Sequence, residues 1–444
     1  MEKSKLWRLS ALLFLCCIPT QIFAMSGVDT LSMSLAECLT YAKQNSITLQ
    51  NAKLQIDNSQ ADQLSAKGAF LPSLSATIGQ TFNTNPTNTD VDASKSTYNG
   101  TYGLDLSMTL YNGGKNRALL QQSDIANEIA TLQYQEYENT IEVSITEVYV
   151  EILYAMEQIK VSEQSLEVSK TNQERGRAFY EAGSISISDL AQLESATASY
   201  EYDLVVAQSQ LSNLYVSLKH LLEISQDMVV TVQEMDVADD NLLSSIVAVQ
   251  DVYSDALVSR PEILSKELSI ASAELDEKIA KAGYLPTLSL SAGTGLSHNS
   301  YDGFEFSDQL RNSFNTSVGV NLSVPIFSKW QNKTAVQKSQ NYLEMATIEQ
   351  TQAHKDLYQT IETLYNNAQT SQSKYIVSQY ALSAIEKSLK LITEQYELGL
   401  KNTIELLTEQ DNYNQTSQDY LTNKYQLILN LALLNYYQTD IIKL

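Results

Sequence analysis

The stretch Ala66-Lys67-Gly68-Ala69-Phe70-Leu71-Pro72-Ser73-Leu74-Ser75 returns, lightly altered, as Ala280-Lys281-Ala282-Gly283-Tyr284-Leu285-Pro286-Thr287-Leu288-Ser289, 214 residues further on. Three later matches sit 216 residues apart: Tyr149 with Tyr365, Tyr180-Glu181-Ala182-Gly183 with Tyr396-Glu397-Leu398-Gly399, and Asp189-Leu190 with Glu405-Leu406. An offset that drifts by only two residues over so long a span marks a tandem duplication, in which each copy is one structural unit. The Leu-Pro pair splits each unit into two textures. Proline pushes the residue before it out of the helical region, so a helix ends there and a different period begins.

Upstream and well downstream of that pair the period is helical. No proline occurs in residues 115–260 or 326–444, and those spans contain only Gly176, Gly183 and Gly399. Tyr134, Tyr137, Ile141, Ile145, Val148, Ile152, Met156 and Ile159 follow spacings of three and four. Leu357, Ile361, Leu364, Ala368, Tyr375, Leu382, Ile385, Leu389, Ile392 and Tyr396 keep a similar register in the second copy. A mean period near 3.5 is that of helices packed along a coiled-coil seam. The spacing predicts opening helices over about 35–68 and 252–283 and a long helix over about 115–182. That rod would be roughly 100 Å long, too long for a compact globule. Gly183 and Gly399 are predicted hairpin turns, since glycine takes the left-handed conformation favoured at a helix C-terminus. Ser188 and Thr403 are the expected caps of helices returning to about 222 and 435.

Just after each Leu-Pro pair the period becomes two. Leu74, Ala76, Ile78 and Phe82 alternate with small or polar residues, as do Tyr102, Leu104, Leu106, Met108 and Leu110. The second copy repeats this with Leu288, Leu290, Ala292 and Leu296, then Phe314, Val318, Val320, Leu322 and Val324. Strands apolar on one face and polar on the other, joined by long polar loops (83–97 and 298–311), fit an outer-membrane barrel wall better than a soluble sandwich. No further alternating segment is evident to supply a second sheet. Four strands cannot close a barrel, and open edges in lipid are costly, so the chain is expected to oligomerise into eight, twelve or sixteen strands. On its strand's polar side Asp105 is a candidate for the barrel lumen, and its repeat partner is Asn321.

Composition agrees. Gly and Pro together make up about 5% of 444 residues, where roughly 12% is average, which disfavours turn-rich folds. A formal charge of −23 excludes a polyanion-binding role, so no nucleic acid is expected as a partner. Lys3, Lys5 and Arg8 precede an apolar run at 9–18, and Ile22-Phe23-Ala24 ends in a small residue, so residues 1–24 read as a secretory signal peptide. Cys16 and Cys17 fall inside it, where Leu13-Phe14-Leu15 lacks the small residues of a lipoprotein site, leaving Cys38 with no disulfide partner. The expected domains are a first repeat over 25–222, an inter-repeat segment over 223–250, a second repeat over 251–436 and a tail over 437–444.

This arrangement, with Leu110-Tyr111-Asn112-Gly113-Gly114 after the second strand, resembles the outer-membrane efflux protein family, the TolC-like channel-tunnels, over essentially the whole chain beyond the leader. The resemblance implies a mainly α fold with membrane β: a homotrimer whose twelve strands form one barrel in outer-membrane lipid and whose long helices form a coiled-coil tunnel. It places the protein in the outer membrane of a Gram-negative bacterium, with a periplasmic extension. It also implies a periplasmic adaptor (membrane fusion) protein and an inner-membrane transporter as partners, in a tripartite efflux or type I secretion system that passes substrates outward.

In that family the turn regions close the periplasmic aperture. By position, Asp189 matches an acidic partner on the first hairpin, Tyr396 and Lys401 an aromatic and a basic latch residue, and Glu405 a ring carboxylate. Lysine at 401 replaces the usual arginine, turning a two-pronged link into a point contact. Thr408 stands where some members carry a second ring carboxylate. Elsewhere no catalytic or cofactor pattern is present: His220, His298 and His354 are isolated, and Gly293-Thr294-Gly295 lacks the rest of a phosphate loop. The expectation is therefore no enzyme, no metal and no cofactor. The competing reading is a structural or adaptor-like exported coiled-coil protein, although an adaptor normally carries one hairpin and this chain has two.

Overall fold

The structure is a computed structural model that describes residues 30–84, 96–225, 228–234, 242–243, 245–300 and 304–442; the signal peptide reading and most of the 83–97 loop lie outside them. The first copy runs β1 (Thr30–Met33), α1 (Leu35–Asn45), α2 (Ile47–Gly68), β2 (Ser73–Thr84), β3 (Ser96–Asn112), α3 (Lys115–Glu181), α4 (Ile187–Leu221) and β4 (Val229–Val232). The second runs α5 (Val249–Ser259), α6 (Pro261–Ala282), β5 (Thr287–Asn299), α7 (Phe306–Ser313), β6 (Asn315–Ser323), α8 (Gln331–Glu397) and α9 (Thr403–Thr439).

The two rods, α3 and α8, are 67 residues each, or about 100 Å. Near the sheet, α2, α3, α6 and α8 lie side by side in that order; away from it the order is α4, α3, α9 and α8. The chain is thus a wall one helix thick. Each opening helix is broken in two, at Ser46 and at Arg260, which stand at equivalent positions of the repeat and leave the helical region with ψ of 124° and 123°. At Arg260 the cause is Pro261, by the same restriction that ends helices before the Leu-Pro pairs. At Ser46 the side chain accepts the Leu49 N–H and starts a new helix.

The four long strands form one antiparallel sheet in the order β2-β3-β5-β6. Its register aligns Leu74 with Leu106, Leu106 with Ala292, and Ala292 with Val318, producing one continuous apolar face. Leu74, Ile78 and Val318 on that face are 71–74% exposed, so none of the described residues covers it. An uncovered apolar sheet of this extent requires lipid or another surface. A bulge at Leu110 shifts the register so that Tyr111, not Leu110, sits opposite Leu288. Phe314 and Val324 fall just outside β6. Among the described residues no helix is long and apolar enough to cross a membrane.

The sequence reading found no further strands, but β1 and β4 form a second, two-stranded parallel sheet at the waist. Each is only four residues long, too short for alternation to stand out. Met33, Val230 and Val232 from this pair pack with Cys38, Ile145, Tyr149, Ile152 and Leu218 in the largest core cluster. Burial there pushes the Cys38 thiol up to about 11, and it pushes the Tyr149 hydroxyl, which donates to the Gln233 carbonyl at 3.0 Å, up to about 12. The 298–311 loop also contains structure: α7 lies beside the end of β5, where the Ser313 hydroxyl and the Gln309 carboxamide bond the backbone of Ser297 and Asn299 beyond the end of β6. Finally, α9 continues to Thr439, into the segment read as a tail, and near its end the Arg260 guanidinium donates to the Tyr436 carbonyl at 2.7 Å.

Candidate functional site

At the ends of the rods farthest from the sheet lie two turns, 182–186 and 398–402. Gly183 and Gly399 have φ of +75° and +73°. In each turn the glycine N–H bonds back to Tyr180 or Tyr396, and the next N–H bonds to the carbonyl of Phe179 or Gln395. This is the six-to-one closure that ends a helix through a left-handed residue. The returning helices are capped earlier than expected, two residues earlier by Ser186 in place of Ser188 and one residue earlier by Asn402 in place of Thr403, and both caps are reciprocal boxes.

The candidate latch residues are partly consumed by these boxes. Asp189 accepts the Ser186 hydroxyl at 2.7 Å and the Ser186 N–H at 3.0 Å; those bonds hold its carboxyl below the usual range. Glu405 accepts Lys401 Nζ at 2.6 Å and the Asn402 N–H at 3.1 Å, with the same consequence. Lys401 and Glu405 are therefore brought together within one turn, while Asp189 is bonded to its own cap and not to Lys401. Tyr396 is 2% exposed, its ring 5.8 Å from that of Phe179 and its hydroxyl without a hydrogen-bond partner. Its repeat counterpart Tyr180 is exposed, so the two hairpin tips are not equivalent.

Above the tips runs a set of polar ties between the hairpins that sequence reasoning missed. Arg175 on α3 meets Glu397 at the end of α8 at 2.9 Å. Buried Asn172 donates to Gln410 at 3.2 Å, Ser165 to Asn414 at 3.3 Å, and Tyr200 to Asp411 at 2.8 Å. A signal for Asn172 was available: Ser162, Ser165, Ser169, Asn172 and Gly176 place small and polar residues on the buried side of the lower α3, where Gly176 admits Leu193 of α4. Beside the ties, Gln164, Val168, Leu389, Thr393 and Tyr413 line a cleft of about 430 Å³.

On the sheet the polar face is as continuous as the apolar one. Asp105 lies between Ser75 and Gly293, and Asn321 stands opposite Ser289. A methyl at Gly293 would lie 3.1 Å from an Asp105 carboxylate oxygen, so glycine leaves that side chain room. The register thus assigns Asp105 and Asn321 to one face, on the side opposite the exposed leucines and valines.

Comparison with known proteins follows the same outline. TolC of Salmonella enteritidis is 22% identical over 419 residues, covering 93% of this chain and 84% of that protein. A crystal structure of CusC matches with a TM-score of 0.80 at 17% identity, covering 95% of this chain and 96% of the other. VceC from Vibrio cholerae matches with a TM-score of 0.78 at 18% identity, covering 91% and 96%. The sequence profile described as Outer membrane efflux protein matches twice, at residues 39–222 and 252–436, once for each repeat. With both halves matched and the fold shared, the chain belongs to the outer membrane efflux protein family, and it resides in the outer membrane.

Proposed function

We propose that three copies of this chain form a channel-tunnel that conducts substrates passively from the periplasm to the exterior. One observation carries the reading: a four-stranded sheet, apolar on one exposed face and polar on the other, whose edge strands β2 and β6 have no partner strand among the described residues. Pairing β2 of one copy with β6 of the next removes every open edge, and three copies give twelve strands. The polar face with Asp105 and Asn321 then lines the lumen, and the helical wall continues that lumen into the periplasm. The protein performs no chemistry. Energy comes from an inner-membrane transporter, reached through a periplasmic adaptor, in a tripartite efflux or type I secretion assembly.

In this reading the hairpin tips form the aperture, and Asp189, Tyr396, Lys401 and Glu405 contribute to its closed state, with Gly183 and Gly399 as turns. Lys401 and Asp189 act across the boundary between neighbouring copies once their intrachain bonds exchange. An adaptor-like or purely structural role is disfavoured, because it leaves the apolar sheet face without a surface to meet.

Detergent extraction followed by mass determination, then single-channel recording in planar bilayers, tests the proposal. A detergent-soluble trimer with discrete conductance is expected. A monomer that remains in solution without detergent would overturn it.

A further inference from the structure

We infer that the four junctions between sheet and helices form a collar that binds anionic phospholipid headgroups, an inference that rests on the sheet being a lipid-facing barrel wall. Each junction pairs a lysine with an aromatic ring. Lys67 precedes Phe70 where α2 meets β2, and Lys115 follows Tyr111 where β3 meets α3. Lys281 precedes Tyr284 at the α6–β5 junction, and Lys329 and Lys333 flank Trp330 where β6 passes into α8. All five lysines are exposed.

Positive charge predominates at the junctions, with Lys281 also paired to Glu277 at 2.9 Å. Residues 66–72, 110–117, 280–286 and 324–333 hold six of the 29 Lys and Arg and none of the 52 Asp and Glu, in a chain of net charge −23. The four long strands themselves contain no Lys or Arg. Positive charge therefore begins where the apolar face ends. On β6 the outward stripe of Val318, Val320 and Leu322 leads to Ile326, 96% exposed, and then to the Phe327–Trp330 pair, whose rings are 6.3 Å apart at 80°. Lys333 Nζ lies 5.1 Å from the Trp330 ring centre. Amphipathic rings at the end of an apolar stripe sit at headgroup depth, and lysines just beyond them meet the lipid phosphates.

A second observation singles out this junction. Lys329 and Trp330 have φ of +49° and +67°, and the equivalent positions of the first copy are Gly113 and Gly114, at +69° and +82°. Glycine makes this turn without strain, as the first copy demonstrates. The second copy instead holds a cation and the largest aromatic side chain in that conformation. Lipid is favoured over a neighbouring copy as the occupant, because each copy would bring a collar of the same sign.

Trp7 and Trp330 are the only tryptophans in the sequence, so Trp7→Phe makes Trp330 the sole fluorescent indole. The full chain is reconstituted into vesicles containing dibrominated phosphatidylglycerol or dibrominated phosphatidylcholine. Bromine quenching of Trp330 should show about fivefold or greater preference for the anionic lipid at low salt. That preference should collapse toward parity in high salt and in Lys329→Gln with Lys333→Gln, which alters only exposed side chains. Equal quenching by both lipids overturns headgroup binding and leaves the channel reading intact. No quenching by either lipid, in vesicles that conduct, shows Trp330 covered by protein and also overturns it. Failure to sediment with vesicles of either composition removes the collar and the channel together.

Discussion

Arg175 on α3 and Glu397 at the end of α8 face one another at 2.9 Å, tying the two hairpins of one chain together just above their tips. Both groups are partly exposed, so the pair contributes about 0–1 kcal/mol and its removal should leave assembly intact. Arg175→Ala and Glu397→Ala are each expected to raise single-channel conductance, and the double variant should open no further than either alone. Rises that add in full would show that the two residues act independently.

The Asp189→Ala, Lys401→Ala pair is expected to raise conductance in the assembled trimer. Asp189 also caps α4 with Ser186, so Ser186→Ala serves as the control that loses the cap but keeps the carboxylate. Conductance should respond strongly to the pair and weakly to the control. If the pair conducts like the parent protein, neither residue belongs to the aperture.

The tips should also loosen in acid. Asp189 is held below its ordinary pKa by the Ser186 hydroxyl and backbone N–H, and Glu405 by Lys401 and the Asn402 N–H. A carboxyl lowered in the folded state adds stability that is complete above its unfolded value, near 4, and is lost as pH falls through the folded value. Hydrogen-exchange protection at 186–189 and 402–405, corrected for intrinsic rates, should therefore hold from neutral pH to about 4 and drop below it. Asp189→Asn and Glu405→Gln should flatten that dependence.

The elements were legible where local rules dominate. The long first rod was placed within a residue at each end, since proline and glycine scarcity and a 3.5 period coincide there. Gly183 and Gly399 were legible as turns because little else could make one. The break at Arg260 was readable from Pro261 and was passed over; that at Ser46 has no proline to mark it. The ties Arg175–Glu397 and Asn172–Gln410 were not legible, because they join residues more than 200 positions apart in a chain crowded with surface charges and carboxamides. Asp189 and Lys401 were placed at the right turns, but their partners follow from capping geometry, which positional matching does not express.

Arg260 offers a test of the waist. Its guanidinium lies 4.4 and 4.3 Å from the ring centres of Tyr436 and Tyr437, is 2% exposed, and donates to the Tyr436 carbonyl. Arg260→Ala should cost about 2–4 kcal/mol, from a charged hydrogen bond and two desolvated cation–π contacts. Arg260→Lys should recover little of this, because a compact ammonium cannot meet both rings and the carbonyl as the planar guanidinium does. Thermal unfolding of the detergent-solubilised protein measures both.

Asp105 tests the polar face. If it lines the lumen, Asp105→Asn removes one negative charge per copy and should lower the cation-to-anion permeability ratio, read as a shift of reversal potential in a salt gradient. Gly293→Ala crowds the same carboxylate and should alter the ratio in a milder way. An unchanged reversal potential for Asp105→Asn would place that carboxylate outside the conducting path.

The parallel pairing of β1 with β4 joins residue 30 to residue 229. A chain exported from its N-terminus must therefore deliver nearly its whole first repeat across the inner membrane before β1 finds a companion. The small clasp is thus a late contact of the first repeat, while the packing of α3 on α6 and α9 and of β3 on β5 waits for the second.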